Sequence, residues 1–347
     1  RGVFTKLFGL LVLCLHCQHE SAQVFSATKL SRTKLREERE KDGLQAQLTI
    51  GVDDFVSDLP AQDQKACKEM QAAASCGDWY RVMRVFGSAS KTAAPVFNTA
   101  MAAALRLGNY EKGLAIYWEL ENRRLPKTLK SYCCAIRLHA LLGQWNETAA
   151  VWDSVRASRL WMDNESACSV MCAKLYAAAH FGNATLAVQL LSMLQERGKP
   201  PNRLDLNQAL EAFKFSKRAQ SARQLFSDVV QTGVTPDVIT FTSLVAAHAG
   251  EPLDIIYDVV SDMAVYNIEP TVPFLEELVS AVLDARRSRL PVTTAEIARQ
   301  FVCEAPRSHR TAARKIIDQA ERGGLELSTL LFRWRSALRH VEESSDV

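Results

Sequence analysis

Glycine and proline are scarce in this chain, at 15 and 11 of 347 residues. Helix formers, alanine and leucine above all, fill most of it, so the expected fold is nearly all-α. No large charge imbalance exists. With 42 basic and 39 acidic residues the formal charge is +3, which neither demands nor excludes an anionic partner. At 48% apolar and 23% charged residues the composition is that of a soluble globular protein, which argues against wholesale disorder. The nine cysteines form no framework: they are odd in number and scattered. Cys67, Cys76, Cys133, Cys134, Cys168 and Cys172 fall inside helical patterns, as small buried thiols of a reducing compartment would.

The apolar run Leu7 to Cys17 is shorter than the roughly 20 residues a membrane-spanning helix needs. Preceded by Arg1 and Lys6, and followed by small residues near Ala22 to Phe25, it has the layout of a signal peptide. The segment after it, SATKLSRTKLR, is hydroxylated and basic with no acid until Glu37, the composition of an organelle transit peptide. Together the two resemble the bipartite presequence of algae whose plastids are surrounded by extra membranes. Residues 1–62 are expected to be presequence and linker, delivering the chain to a plastid, with the mitochondrion as the alternative. No stable membrane insertion of the mature chain is expected. Cys14-Leu-His-Cys17-Gln-His19 has no second ligand pair, so no metal site is expected there.

A repeat organises the rest. Gly233-Val-Thr-Pro-Asp237 stops one helix and starts another within a few residues: Pro236 forbids continuation, and Asp237 can cap a helix beginning near Val238. Similar joints are Arg124-Leu-Pro-Lys-Thr128, Arg159-Leu-Trp-Met-Asp163 and Gly198-Lys-Pro-Pro-Asn202, mostly 35 residues apart. A second turn falls inside each unit at Gly108, Gly143, Gly182 and Lys217, as a helical hairpin requires. Downstream of these, Tyr117, Trp152, Leu191 and Phe226 are each followed three residues later by Leu120, Val155, Leu194 and Val229, one buried face per second helix. One such hairpin cannot bury its apolar face alone, whereas a stack of them makes a continuous core. The units expected are 63–93, 94–128, 129–163, 164–202, 203–237 and 238–271. The 164–202 unit is four residues too long, and 272–347 would be a degenerate repeat and a basic helical cap.

These residues resemble the pentatricopeptide repeat family, whose hairpins end in Gly-Ile-x-Pro-Asp and restart with an apolar-Thr-Tyr-Asn run. Residues 203–237 carry the likeness best, through Asn207, Ala222, Leu225, Phe226, Gly233, Pro236 and Asp237. Phe97-Asn98, Gly108 and Tyr117 carry it in 94–128. The resemblance implies an all-α, right-handed superhelical solenoid of hairpins. It also implies single-stranded RNA as partner, one base per unit, in organellar RNA processing, stability or translation. The fifth and last residues of each unit would read the base. Those pairs are Asn207 with Asp237 (a combination associated with uracil), Asn98 with Thr128, Cys133 with Asp163, Cys172 with Asn202, and Thr242 with Thr271. The last three depart from the usual combinations.

Phosphate attraction is weakly encoded in the array, where residues 63–285 hold 22 basic and 23 acidic side chains. Arg106, Arg137, Lys174 and Lys214 are the first-helix cations expected to contribute. Residues 286–340, by contrast, hold 12 basic and 5 acidic residues, with Arg333-Trp-Arg335 interleaving charge and an aromatic. No catalytic constellation is present. After residue 272 there is one cysteine, Cys303, and no Cys-x-x-Cys pair for a zinc deaminase. His139, His180 and His248 read as structural or surface residues. The expectation is therefore no enzyme and no cofactor, with a protein-binding scaffold as the alternative to RNA binding.

Overall fold

The computed structural model describes residues 59–285 and 292–343. The presequence pattern, the Cys14–His19 cluster and the Arg286–Arg289 run lie outside the described residues. Among those described there are sixteen α-helices and no strand. In chain order they are α1 (Ala61–Ser75), α2 (Trp79–Ser88), α3 (Ala94–Leu107), α4 (Tyr110–Asn122), α5 (Leu129–Leu141) and α6 (Trp145–Arg156). Next come α7 (Asn164–Phe181), α8 (Ala184–Glu196), α9 (Arg203–Glu211), α10 (Ala219–Gln231) and α11 (Val238–Ala247). The last five are α12 (Leu253–Val265), α13 (Val272–Val282), α14 (Ala295–Glu304), α15 (Arg307–Arg322) and α16 (Thr329–Glu343).

The helices fall into two compact units, and the division runs through α8. In the first unit, residues 59–181 with 189–200, the first helices α1, α3, α5 and α7 pack one on the next. Alanine makes this approach close: Ala100, Ala104, Ala135, Ala140, Ala173 and Ala177 are fully buried. Gly113 of α4 carries the same logic further, since a Cβ there would stand 2.7 Å from Leu138 Cδ2 and 3.0 Å from Ala104 Cβ. The helix α7 has 18 residues against 14 in α3 and 13 in α5, so the four surplus residues of 164–202 form one extra helical turn.

In the second unit α9, α11, α13 and α15 stack in the same way around Phe213, Phe241, Phe274 and Trp334, all fully buried. Val272 and Arg307 start first helices 35 residues apart; α15 lies on α13, and α16 on α14. The basic carboxyl-terminal region is thus built into the hairpin stack and shares its core.

Backbone handedness marks both kinds of joint. Within hairpins, Gly108 (φ 74°), Gly143 (φ 72°) and Gly182 (φ 68°) are left-handed, and Lys217 takes the same conformation at φ 51° without glycine's freedom. Between hairpins the left-handed residue sits four positions before the next helix cap, at Arg124, Gly198, Gly233 and Asn267. At the remaining joint Arg159 opens a short 3-10 turn, Arg159–Trp161, instead. Of the i, i+3 faces expected of the second helices, Tyr117 and Leu120, Leu191 and Leu194, and Phe226 and Val229 are buried, whereas Trp152 is half-buried beside a fully buried Val155.

Candidate nucleic-acid interface

The joint at 237 shows how cap chemistry becomes a side-chain cluster. Asp237 is extended (φ −128°, ψ −176°) and its Oδ1 accepts the backbone N–H of Thr240 at 2.9 Å. The Thr240 hydroxyl accepts the Asp237 N–H at 3.0 Å, completing a reciprocal capping box. Asn207, one hairpin earlier on α9, joins both members. Its Nδ2 donates to Asp237 Oδ1 at 3.2 Å, and its Oδ1 receives the Thr240 hydroxyl at 2.6 Å. Arg203 holds the other carboxylate oxygen through Nε at 3.2 Å, from a side chain that is 57% exposed.

The same arrangement stands in the first unit. Thr128 caps α5 and exchanges box bonds with Ser131. Asn98 Nδ2 donates to Thr128 Oγ1 at 2.8 Å and Asn98 Oδ1 accepts the Ser131 hydroxyl at 2.7 Å. Burial separates the two clusters. Asn98 has no solvent exposure, whereas Asn207 keeps 9% and the Asp237 side chain 28%.

The other three expected pairs are not joined by these bonds. The Cys133 thiol donates to the Ser169 carbonyl, and Asp163 caps α7 instead, taking the Ser166 N–H at 2.8 Å. Bonds from the Ser166 hydroxyl and backbone hold the Asp163 carboxyl below its ordinary pKa. Cys172 is buried and receives the Lys199 ammonium at 2.9 Å, while Asn202 caps α9 in a box with Asp205. Thr242 turns its hydroxyl back to the Val238 carbonyl at 2.6 Å, and the Thr271 side chain makes no cap bond.

The first-helix cations differ from expectation. Arg137 and Lys174 are buried, at 7% and 3% exposure, so they do not face a phosphate backbone. Arg137 lies over the Tyr176 ring at 5.8 Å. Lys174 is enclosed by Trp145 at 4.8 Å and Trp152 at 5.8 Å and donates to the Thr148 carbonyl. Burial pulls its ammonium down to a pKa of about 8, with only the charge of Asp153 opposing. These two residues look like phosphate contacts in sequence because a cation–π partner on a neighbouring helix is invisible there. Lys214 lies in the turn after α9, paired with Glu211 at 2.8 Å, and Arg106 reaches Ser75 at 3.3 Å.

The three histidines are structural in placement. His139 meets Gln144 at 2.7 Å, His180 stacks edge-on against Phe181, and His248 gives its Nδ1–H to the Leu244 carbonyl at 2.7 Å. Burial lowers the His248 pKa, so the neutral ring is favoured there. Among the described residues no group of three or more His, Cys, Asp or Glu is placed to hold a metal ion, and no helix is long and apolar enough to cross a membrane.

Two features escaped the sequence reading. Ser131 and Thr240 look like ordinary third residues of helices, yet both bond an asparagine more than thirty positions upstream. The signal that could have found them is the coincidence of a helix-cap hydroxyl with Asn at the fifth place of the preceding unit. Along α15, Arg307, Lys315 and Arg322 are exposed and fall on one side of the helix at 100° per residue.

The comparisons with known proteins follow the same lines. A family model for the pentatricopeptide repeat domain matches residues 224–282. A pentatricopeptide repeat-containing protein of Arabidopsis thaliana is 23% identical over 169 residues, 48% of this chain and 20% of that protein. The crystal structure of the pentatricopeptide repeat protein PPR10 in complex with an 18-nt psaJ RNA element superimposes with a TM-score of 0.56 at 14% identity. It covers 99% of this chain and 52% of the other. The structure of PPR10 from maize matches with a TM-score of 0.51 at 17% identity, over 97% of this chain and 53% of that one. The chain therefore spans about half the length of these solved proteins, and its match to the Arabidopsis relative about a fifth. Residues 224–282 thus match the pentatricopeptide repeat domain, and the fold of the described residues is the helical-hairpin solenoid of the solved pentatricopeptide repeat structures.

Proposed function

We propose that the chain binds single-stranded RNA, with Asn207 and Asp237 as its principal base-contacting pair. The observation that carries this reading is the junction of those two side chains at 3.2 Å, a donor amide beside a carboxylate acceptor that is partly open to solvent. A donor next to an acceptor matches the edge of a base that a single strand leaves free. The solved relative bound to an RNA element supports the ligand class. The pairs Cys133 with Asp163 and Thr242 with Thr271 would contribute contact without a readable base preference, while Cys172 is buried and leaves only the exposed Asn202 of its pair. Asn98 is buried, which leaves Thr128 as the outward member of its pair.

Phosphate attraction would come from the exposed cations of α15 and α16, since Arg137 and Lys174 of the first unit are enclosed. A role in organellar RNA processing, stability or translation, within a plastid or mitochondrion, is the reading the leader composition supports. The alternative is a protein-binding scaffold, and the burial of Arg137 and Lys174 is the observation that favours it.

The test is selection from a randomised single-stranded RNA pool by the purified chain, beside crosslinking in the native organelle. Enrichment of a short motif with a defined base, lost in Asp237→Ala, supports the proposal. No enrichment, with a protein recovered in stoichiometric amount, overturns it in favour of the scaffold.

A further inference from the structure

A base-contacting asparagine is ambiguous, because its amide can present either oxygen or nitrogen to the ligand. Something must fix which. At Asn207 the fixing group is on the next hairpin. The Thr240 hydroxyl stands 2.6 Å from Asn207 Oδ1 and 2.9 Å from Asp237 Oδ1, donates to the nearer amide oxygen, and is itself anchored by accepting the Asp237 N–H at 3.0 Å. Asp237 Oδ1, 3.2 Å from Nδ2, enforces the same orientation, since a flipped amide would set oxygen against oxygen. The amide oxygen is thereby satisfied inside the protein, and the second Nδ2–H is the group the amide has left to offer.

From this geometry we propose that Thr240 is a positioning residue for base selection, acting through Asn207 without touching RNA. The inference rests on the RNA-binding reading above. It makes the third residue of the following hairpin a determinant of what the fifth residue of the preceding one offers. The first unit repeats the device, with Ser131 donating to Asn98 Oδ1 at 2.7 Å. Where the fifth residue is Cys133, which has no amide oxygen, the corresponding Ser166 hydroxyl bonds Asp163 instead. Where the third residue is Phe274, no hydroxyl exists and Thr242 bonds its own helix. The hydroxyl thus reaches across the joint only where an amide needs orienting.

Fixed in this way, the site offers a donor beside an acceptor and selects a base edge with a carbonyl acceptor next to an N–H, the arrangement uracil presents. Losing the hydroxyl removes the shorter of the two bonds that orient the Asn207 amide and leaves Asp237 Oδ1 alone to hold it, so the orientation is less tightly fixed. The substitution Thr240→Val keeps the shape and removes the bond; Thr240→Ser keeps the bond.

The experiment measures affinities of wild type, Thr240→Val and Thr240→Ser for the selected RNA and for the same RNA with its Asn207-facing base changed. The expected result is a fall of about tenfold or less in the ratio of the two affinities for Thr240→Val, the scale of one hydrogen bond. Thr240→Ser restores the ratio. Equal loss for both RNAs means a merely structural role and overturns the inference, as does an unchanged ratio. Absence of any base preference in the wild type is a different failure, because it removes the RNA-binding reading itself. The Asn207 side-chain amide resonances provide a ligand-free readout: slower hydrogen exchange in wild type and Thr240→Ser than in Thr240→Val is expected, and equal exchange refutes the clasp.

Discussion

Besides a contact with the Thr240 hydroxyl at 2.9 Å that is shared with Asn207, replacing Asp237 by alanine removes three interactions whose sizes can be worked out from the geometry. The cap bond to the Thr240 N–H, at 2.9 Å, satisfies an orphan donor of α11 and is worth about 1 kcal/mol. The bond from the Asn207 amide is largely buried and adds about 1 kcal/mol. The Arg203 ion pair joins a side chain that is 57% exposed, so screening leaves it at no more than about 0.5 kcal/mol. Asp237→Ala should therefore destabilise by roughly 2 kcal/mol. Asparagine caps as well as aspartate and keeps an acceptor at Oδ1, so Asp237→Asn should cost about 0.5 kcal/mol or less.

Urea unfolding of the three proteins measures the totals, and hydrogen exchange across 236–248 locates the loss. In Asp237→Ala, exchange should rise first at the amino-terminal turn of α11. Equal costs for the alanine and asparagine variants would refute the reasoning, because the charge would then outweigh both hydrogen bonds. A cost below about 0.5 kcal/mol for alanine would refute it as well, since it would mean the cap contributes nothing.

Three other perturbations follow from the same structure. Lys217→Gly relieves a left-handed residue at φ 51°, a strain of about 1–2 kcal/mol against a glycine entropy cost of about 0.5–1. A net gain near 0.5 kcal/mol in urea unfolding is expected; a loss would mean the Lys217 side chain contributes contacts that outweigh strain. Lys174 has a folded pKa of about 8, below that of an unfolded lysine, so the unfolded chain binds more protons between those values. The penalty is therefore full below pH 8 and relieved as pH rises towards 10.5. Allowing for screening it is of order 2 kcal/mol, and wild type should gain that much relative to Lys174→Met over this window. Parallel stability–pH curves for the two would refute it. Arg307→Gln, Lys315→Gln and Arg322→Gln combined should reduce the slope of log affinity against log salt by about 2, at roughly 0.7 per lost phosphate contact. An unchanged slope would place phosphate contact elsewhere.

The hairpin register was legible because it depends on local chemistry. Gly233, Pro236 and Asp237 determine where one helix stops and the next starts whatever they pack against, and α11 does begin at Val238. Lys217 was recognisable as the turn residue from its spacing alone, and it adopts the glycine-like conformation. The cations were misread for the opposite reason. Whether Lys174 meets a phosphate or a pair of indoles depends on the helix beside it, and Trp145 and Trp152 reach it across the α6–α7 joint. In the tail, expected as a degenerate repeat and a basic helical cap, Ala312, Ile316 and Ala320 of α15 and Trp334 and Leu338 of α16 are buried in the core. Of the five expected base-reading pairs, Asn207 with Asp237 and Asn98 with Thr128 are joined, and these are the two with an asparagine at the fifth place.

A reader made from a helix cap has limited bonding capacity, and counting it shows which atom a ligand can use. A carboxylate offers about four lone-pair sites. On Asp237, Oδ1 already has the Thr240 N–H, the Asn207 amide and the Thr240 hydroxyl around it, while Oδ2 holds Arg203. A base N–H that bonds Oδ2 either takes its second site or displaces an exposed ion pair worth about 0–1 kcal/mol. Reaching Oδ1 would instead mean breaking a cap bond of about 1 kcal/mol and a buried amide bond of similar size. The ligand-facing atom is thus Oδ2, and the cap survives occupancy. Displaced from Oδ2, the Arg203 guanidinium would be released beside the strand, where a phosphate is the natural replacement for a carboxylate. Stability and selectivity then reside on different oxygens of one side chain. Asp237→Asn separates them, because it leaves the cap acceptor in place and turns the outward acceptor into a donor.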